Sequence, residues 1–229
     1  KPKKLIVSQV ITIEKANYWY KITNTLGIAL GIVFSLNISN PTYSFIFIGA
    51  SILLYYYSKK IKSKPLIGNL IVAFLIGVSI FLLAIFELNF LIKNEHQKLA
   101  FTIITALSIF AFCMNLTREI LKDIQDVNGD YALKIKTLPI LLGVNRTKNI
   151  ANLTLLLPIG LLLFILLIYS NSYKFTMLYL LIAVFLPLVY IIIKLFSAKK
   201  KNDFKKISTL LKITMFLGVS SLIIFSKFH

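Results

Sequence analysis

Long runs of apolar residues alternate with short polar segments along the whole chain. A helix needs roughly 20 apolar residues to cross the hydrocarbon core of a bilayer, and only structures that satisfy their own backbone hydrogen bonds can do so. The pattern therefore predicts an all-α, polytopic transmembrane helical bundle with seven spans. The predicted spans are 18–36, 44–57, 66–92, 99–116, 150–169, 175–196 and 207–225.

Basic residues collect at one end of these spans, before the first and after every even-numbered one. Cytoplasmic loops of membrane proteins carry an excess of Lys and Arg. The distribution predicts that these loops face the cytoplasm and that the chain ends on the outer side. The residues that follow even-numbered spans are Lys59, Lys60, Lys62, Lys64, Arg118, Lys122, Lys134, Lys136, Arg146, Lys148, Lys199, Lys200, Lys201, Lys205 and Lys206.

Composition supports a membrane protein and argues against a nucleic-acid-binding one. Of 229 residues, 58% are hydrophobic and 15% are charged, which is more apolar surface than a soluble domain of this size can bury. The formal net charge is +18. Because the basic residues lie in short loops and form no separate basic domain, we expect a lipid bilayer and no nucleic acid as partner.

The segment after the fourth predicted span carries the most specific chemistry. Glu119, Asp123, Asp126 and Asp130 are four of the chain's eight acidic residues. The last three are separated by three and four positions, so on a helix they share one face. Like charges at this spacing repel, and a magnesium ion that bridges to phosphates would compensate them. Gly129 would allow the helix to end or bend and turn Asp130 toward the same ion.

A simpler interpretation of this segment is a solvated loop. The carboxylates would then pair with neighbouring cations and bind no metal. The candidate cations are Arg118, Lys122, Lys134 and Lys136.

A second polar loop, 57–69, lies on the same predicted side of the membrane. Its lysines suit an anionic substrate, because ammonium groups bind phosphate as point charges. They also suit the positive-inside rule and attraction to lipid headgroups without any substrate. Asn69 is a polar residue that enters an apolar helix, and it requires a hydrogen-bond partner there.

These segments resemble motifs of the UbiA superfamily of intramembrane prenyltransferases, over nearly the whole chain. One set is similar to the family's second aspartate-rich motif, another to its loop between two central helices, and a third to the end of its first aspartate-rich motif. The three sets are Arg118-Glu119, Lys122-Asp123, Asp126, Gly129-Asp130 and Thr137-Leu138-Pro139; Tyr57-Ser58, Ile61-Lys62 and Gly68-Asn69; and Lys1-Pro2-Lys3-Lys4.

The family has nine transmembrane helices around a central cavity. The resemblance therefore implies a single transmembrane prenyltransferase domain, 1–229, that contains seven of the nine helices and lacks the first two together with the first aspartate-rich motif. It also implies an integral protein of the bacterial inner membrane, with its active site on the cytoplasmic side. Activity depends on whether the missing half of the metal site belongs to the molecule.

The resemblance implies Mg²⁺-dependent transfer of a polyprenyl group from a polyprenyl diphosphate to a membrane-accessible acceptor. Asp126 and Asp130 would hold the metal and Asp123 would assist. Lys62, Asn69, Lys122 and Lys136 would contact the diphosphate. The acceptor would be a prenylated glycerol phosphate, as in geranylgeranylglycerol-phosphate geranylgeranyltransferases, or an aromatic quinone precursor such as 4-hydroxybenzoate.

Other functions stay open at this stage. The chain could be a truncated and inactive prenyltransferase, a transporter or a non-catalytic membrane protein. Transporters place charges and broken helices near the middle of the bilayer. In this sequence the acids gather beyond the end of a predicted span, which favours an enzyme.

Overall fold

The computed structural model describes residues 10–61, 64–88 and 94–228. Within these ranges the chain is helical and contains no β-strand, which confirms the all-α prediction. The chain separates into two compact units, Lys1–Lys62 and Ser63–His229. The single transmembrane domain expected from the sequence stays a prediction.

The first unit contains two helices joined by a tight connection. Thr12 begins the first helix, because its Oγ1 accepts a hydrogen bond from the backbone N–H of Lys15. The helices contact each other through Ser51, whose hydroxyl donates to Oδ1 of Asn24 over 2.8 Å. In chain order the elements are α1 (Ile13–Asn37), a 3₁₀ turn (Pro41–Tyr43), α2 (Ser44–Tyr56) and a π-helical turn (Tyr57–Ile61).

The second unit contains the longer helices. A π-helical turn at Leu181–Phe185 joins two of them into one continuous helical segment, Lys174–Ser197, which contains Pro187. Such a turn accommodates the loss of a helical hydrogen bond at proline, which has no backbone N–H. The helices are α3 (Ile67–Glu87), α4 (Glu95–Ala132), α5 (Leu138–Leu142), α6 (Val144–Tyr169), α7 (Lys174–Leu180), α8 (Leu186–Ser197) and α9 (Lys201–Phe228).

Five helical segments among the described residues are long and apolar enough to cross a membrane, where the sequence predicted seven spans. The five correspond to the third to seventh predicted spans. The first two predicted spans do form helices. However, α2 has 13 residues, which is short of a bilayer's thickness, and Lys21 and Asn24 make α1 more polar than a typical span.

Small residues bring α3 and α4 close together. Ala73 and Gly77 are buried and lie one turn apart on α3. A Cβ atom at Gly77 would lie 3.1 Å from Cβ of Phe112 and 3.2 Å from the carbonyl oxygen of Ser108. This close approach is the small-residue packing typical of membrane helices. It fixes the side of α4 that α3 covers.

The core of the second unit forms where α4, α6, α8 and α9 meet. Each of these helices contributes side chains that are fully removed from solvent and lipid, which holds α4 in a fixed orientation. Examples are Ile120, Leu121, Leu155, Leu188 and Leu211. The orientation of α4 decides where its acidic residues face.

Candidate active site

Four acidic residues in the C-terminal part of α4 form a continuous stripe along one side of the helix. Glu119, Asp123, Asp126 and Asp130 follow one another at intervals of four, three and four residues, and the helix continues through all of them. The helix ends at Ala132, so Gly129 does not end it as the sequence analysis had allowed. The stripe is about 16 Å long at 1.5 Å per residue.

This stripe lies beyond the apolar part of α4. The helix has 38 residues and a length of about 57 Å, whereas the hydrocarbon core of a bilayer is about 30 Å thick. The predominantly apolar part of the helix is 99–116, and the four acids of the stripe lie in the polar part that begins at Arg118. The stripe is therefore located where a membrane helix emerges from the lipid.

Asp123 is held by a neighbouring helix. Nδ2 of Asn69 donates a hydrogen bond to Oδ2 of Asp123 over 2.8 Å. Asn69 is buried in the first turn of α3, and this hydrogen bond confirms the expectation that it needs a polar partner. The two residues are 54 positions apart, so the sequence did not reveal the pairing.

A strained turn sets the position of Asn69. Leu66 has a φ of +64°, and the backbone N–H of Ile67 donates to the carbonyl oxygen of Pro65 over 2.7 Å. This is the rare γ-turn with positive φ, a conformation that costs energy for a residue other than glycine. Strain of this kind often accompanies functional sites.

Burial raises the pKa of Asp123 from 3.8 to about 6. The hydrogen bond from Asn69 acts in the opposite direction and lowers the pKa. The negative charges of Asp130 and Glu119 raise it further, and Lys122 lowers it. Asp123 therefore accepts a proton more readily than an ordinary aspartate, and a cation beside it would restore its charge.

Several cations lie next to the stripe. Nζ of Lys122 is 3.1 Å from Oε2 of Glu119, and Nη1 of Arg118 is 3.6 Å from Oε1 of the same residue. These two contacts match the pairing that the solvated-loop interpretation expected. Nζ of Lys201, at the start of α9, is 3.6 Å from Oδ1 of Asp126. The sequence did not predict the contact of Lys201 with Asp126, because Lys201 is one of several basic residues in a predicted loop.

The remaining predicted site residues are less closely associated with the stripe. Lys136 is exposed in the connection after α4, and Thr137, which follows it, is buried with a hydroxyl that has no hydrogen-bond partner in the described structure. Lys62 lies outside the described residues, as does the opening segment 1–4. Of the seven predicted site residues, the structure brings Asn69 and Asp123 into direct contact.

Among the described residues, no three His, Cys, Asp or Glu side chains converge as a metal-binding group. A magnesium ion does not need such a group, because it commonly takes one or two carboxylates and completes its shell with water and substrate phosphates. Asp126 and Asp130, both partly exposed on one helical face, are carboxylates of this kind.

These features define a class of protein: an all-helical membrane protein with an acidic stripe where one helix leaves the bilayer. The model of the UbiA prenyltransferase family matches residues 1–218, and the chain belongs to this family. It is therefore an integral membrane prenyltransferase, whose substrates are a prenyl diphosphate and an acceptor.

Curated relatives are similar over most of the chain. A digeranylgeranylglyceryl phosphate synthase of Sulfurisphaera tokodaii is 33% identical over 224 residues, which cover 94% of this chain and 73% of the relative. A protein of the same name from Saccharolobus solfataricus is 34% identical, with 96% of this chain and 71% of the relative covered.

One solved structure has a similar fold. It is described as giving structural and mechanistic insights into digeranylgeranylglyceryl phosphate synthase in membranes. It matches with a TM-score of 0.68 and 22% identity, over 95% of this chain and 71% of the solved one. At this identity the match supports the fold, and both family and fold agree with the resemblance seen in the sequence.

Proposed function

We propose that this protein transfers a polyprenyl group from a polyprenyl diphosphate to a prenylated glycerol phosphate, with Mg²⁺ as cofactor. The observation that carries the proposal is the acidic stripe, in which Asp123 is partly buried and hydrogen-bonded to Asn69 from a second helix. The relatives named as digeranylgeranylglyceryl phosphate synthases support the glycerol phosphate as acceptor in preference to an aromatic quinone precursor.

The residues of the stripe suit Mg²⁺. Asp126 and Asp130 would hold the ion, since they are partly exposed carboxylates one helical turn apart. When bound, Mg²⁺ supplies positive charge that stabilises the diphosphate as the allylic C–O bond breaks. Once it is ionised, Asp123 would add a negative charge near the Mg²⁺ and help to hold the ion.

The chain's own cations and amide would orient the diphosphate. Lys122 is exposed, and its ion pair with Glu119 is weak enough to exchange for a phosphate oxygen. Asn69 holds Asp123 in one orientation, and its side-chain amide would lie within reach of a diphosphate bound beside Asp123. Lys62 and Lys136 are further candidates because of their charge. The apolar helices beside the stripe would keep water from the reactive carbon.

We further propose that the stripe faces the cytoplasm at the cell membrane. Lys201 lies beside the stripe at the start of a lysine-rich stretch of α9, and clusters of lysine mark cytoplasmic loops. The relatives described above come from archaea and do not support the bacterial membrane that the sequence analysis expected.

The test is a transfer assay in proteoliposomes. The purified protein would receive a radiolabelled geranylgeranyl diphosphate, Mg²⁺ and either geranylgeranylglycerol phosphate or 4-hydroxybenzoate. We expect labelled product with the glycerol phosphate, and a loss of at least about a hundredfold in Asp126→Asn and Asp130→Asn, since each removes a carboxylate that would hold the Mg²⁺ whose charge stabilises the transition state.

Asp203→Asn is the matched control. Asp203 accepts hydrogen bonds from the backbone N–H groups of Lys199 and Lys200, and an asparagine oxygen accepts them equally well. The activity of Asp203→Asn should equal that of the wild type. Product formation that survives both stripe substitutions would contradict the assignment of the site, and faster transfer to 4-hydroxybenzoate would contradict the acceptor. No transfer to either acceptor would favour an inactive or non-catalytic protein.

A further inference from the structure

Arg118 is the first charged residue of α4 after its predominantly apolar part, 99–116. Its neighbours along the chain, Thr117 and Glu119, are buried, so Arg118 lies where the helix is still packed among other helices. The side chain of Arg118 is 28% exposed. Taking most of a cation out of water costs free energy unless an anion compensates it. Arg118 therefore needs an anionic partner.

The anionic partner that the protein supplies is incomplete. Within the described residues the guanidinium makes one ion pair, from Nη1 to Oε1 of Glu119, and at 3.6 Å it is too long for a hydrogen bond. Glu119 lies closer to Lys122, whose Nζ is 3.1 Å from its Oε2. None of the Arg118 nitrogens is among the enclosed polar atoms of the part of the chain that the structure describes. The five N–H donors of Arg118 are therefore open to an anionic ligand.

Arg118 lies on the membrane side of the proposed metal site. It shares one side of α4 with Lys122, which is four residues further along. Asp126 is eight residues from Arg118, about 12 Å along the helix axis, and Asp130 is twelve residues away, about 18 Å. A diphosphate held by Mg²⁺ at Asp126 and Asp130 would be closer to Lys122 than to Arg118. This part of α4 therefore offers cations for two separate phosphate positions.

The proposed reaction requires a second phosphate position on that side. The allylic carbon of the donor would point from its diphosphate toward the bilayer, because the prenyl chain is apolar. The acceptor hydroxyl must reach this carbon, and in a prenylated glycerol phosphate the hydroxyl is only a few bonds from the phosphate. The acceptor phosphate would then lie near the donor diphosphate and closer to the bilayer. Among the cations in the polar part of α4, Arg118 is nearest to the bilayer.

We propose that Arg118 binds the phosphate of the prenylated glycerol phosphate acceptor. This inference rests on the proposed function and adds a residue that recognises the acceptor. A guanidinium group matches a phosphate with two parallel N–H···O hydrogen bonds. Adjacent residues do not face each other on a helix, so the contact with Glu119 means that the Arg118 side chain bends toward the acidic stripe. Lys122 remains for the donor diphosphate.

Equilibrium binding in lipid nanodiscs tests this assignment separately from catalysis. The wild type and Arg118→Gln would be titrated, in the presence of Mg²⁺, with three ligands: geranylgeranylglycerol phosphate, geranylgeranylglycerol, which lacks the phosphate, and geranylgeranyl diphosphate. We expect Arg118→Gln to weaken binding of the phosphorylated acceptor by about ten- to a hundredfold, because hydrogen bonds between charged groups are the strong ones. The affinities for the other two ligands should stay the same.

Arg146→Gln is the matched control, because it makes the same change at an exposed position in the first turn of α6 and should leave all three affinities unchanged. Arg118→Lys keeps the charge but loses the planar fork, so it should weaken binding of the phosphorylated acceptor less than Arg118→Gln does. Thermal unfolding shows whether each variant is folded. If Arg118→Gln does not fold, Arg118→Lys carries the test, with the same selective loss expected.

Three results would overturn the inference while leaving the proposed function intact. One is an unchanged affinity for the phosphorylated acceptor in Arg118→Gln and Arg118→Lys. Another is an equal loss of affinity for geranylgeranylglycerol, which would mean that Arg118 only shapes the site. The third is a greater loss of affinity for geranylgeranyl diphosphate, which would assign Arg118 to the donor. A folded wild type that binds neither the phosphorylated acceptor nor the diphosphate would contradict the proposed function and, with it, this inference.

Discussion

The ammonium nitrogen of Lys201 lies 3.6 Å from Oδ1 of Asp126 and connects the first residue of α9 to the acidic stripe of α4. The Lys201 side chain is 62% exposed and that of Asp126 is 38% exposed. An ion pair this open to solvent contributes at most about 1 kcal/mol. Lys201 therefore compensates the charge of Asp126 without holding it permanently, and the proposed Mg²⁺ would compete with it for this carboxylate.

Removal of this lysine should strengthen metal binding. Lys201→Gln eliminates a cation that competes for Asp126, so we expect the Mg²⁺ concentration for half-maximal prenyl transfer to fall by up to about fivefold. This concentration is measured by titrating the transfer rate with Mg²⁺. Lys205→Gln, an exposed change on the same helix, serves as control and should leave the titration unchanged. A higher Mg²⁺ requirement in Lys201→Gln would mean that Lys201 assists the site.

The raised pKa of Asp123 predicts opposite pH dependences for activity and stability. In the proposed function the ionised form of Asp123 is the one that assists the metal, so kcat/KM should rise with pH through about 6. The pKa of about 6 in the folded protein lies above the ordinary aspartate value of 3.8. The carboxyl therefore favours the folded state fully below about pH 4, and this contribution is lost as the pH rises through 6. A pH–rate profile and thermal unfolding in detergent measure the two trends, and parallel trends would contradict the assignment.

Asn69 should control the position of that pH profile. Asn69→Leu removes the hydrogen bond that lowers the pKa of Asp123, so the acidic limb of kcat/KM should move to higher pH. Asn128→Leu makes the same change at an exposed position of α4 and should leave the limb in place. If both variants keep the wild-type profile, Asp123 is not the group that titrates.

Lys148 is a buried cation that stabilises a helix end. Its Nζ donates to the carbonyl oxygens of Phe196, at 3.3 Å, and Ala198, at 2.9 Å, where α8 ends. Hydrogen bonds from charged groups contribute about 1.5–3 kcal/mol. Lys148→Met should therefore lower the free energy of unfolding by about that amount. Thermal unfolding in detergent measures it, with the exposed Lys194→Met as control. Equal Tm values for the two variants would exclude the capping role.

The sequence predicted those features that depend on local pattern. Apolar runs of sufficient length predicted the five membrane-crossing segments of the second unit, and offsets of three and four residues placed Asp123, Asp126 and Asp130 on one helical face. Both depend on the regular geometry of a single helix. In the first unit the apolar runs do form helices, but neither α1 nor α2 is among the five segments that are long and apolar enough to cross a membrane.

Contacts between distant helices could not be predicted in the same way. The basic residues Lys148 and Lys201 have the same character in the sequence, and the positive-inside rule treats them alike. In the structure Lys148 is buried against α8, whereas Lys201 is exposed beside Asp126. The difference arises from which helices pack together, and so does the pairing of Asn69 with Asp123. A single sequence does not contain this information in any local pattern.

The packing of α3 against α4 leaves little room for a side chain at Gly77. A methyl group there would meet the backbone oxygen of Ser108 at 3.2 Å, and a backbone atom moves less easily than a side chain. Gly77→Ala should therefore lower stability by about 1–3 kcal/mol, although alanine favours a helix more than glycine does. Gly160→Ala, with no atoms within 4 Å, should instead gain up to about 1 kcal/mol. Because α3 also carries Asn69, we expect Gly77→Ala to reduce prenyl transfer as well. Thermal unfolding and the transfer assay measure both effects, and an equal gain of stability in the two variants would show that the helices can separate at no cost.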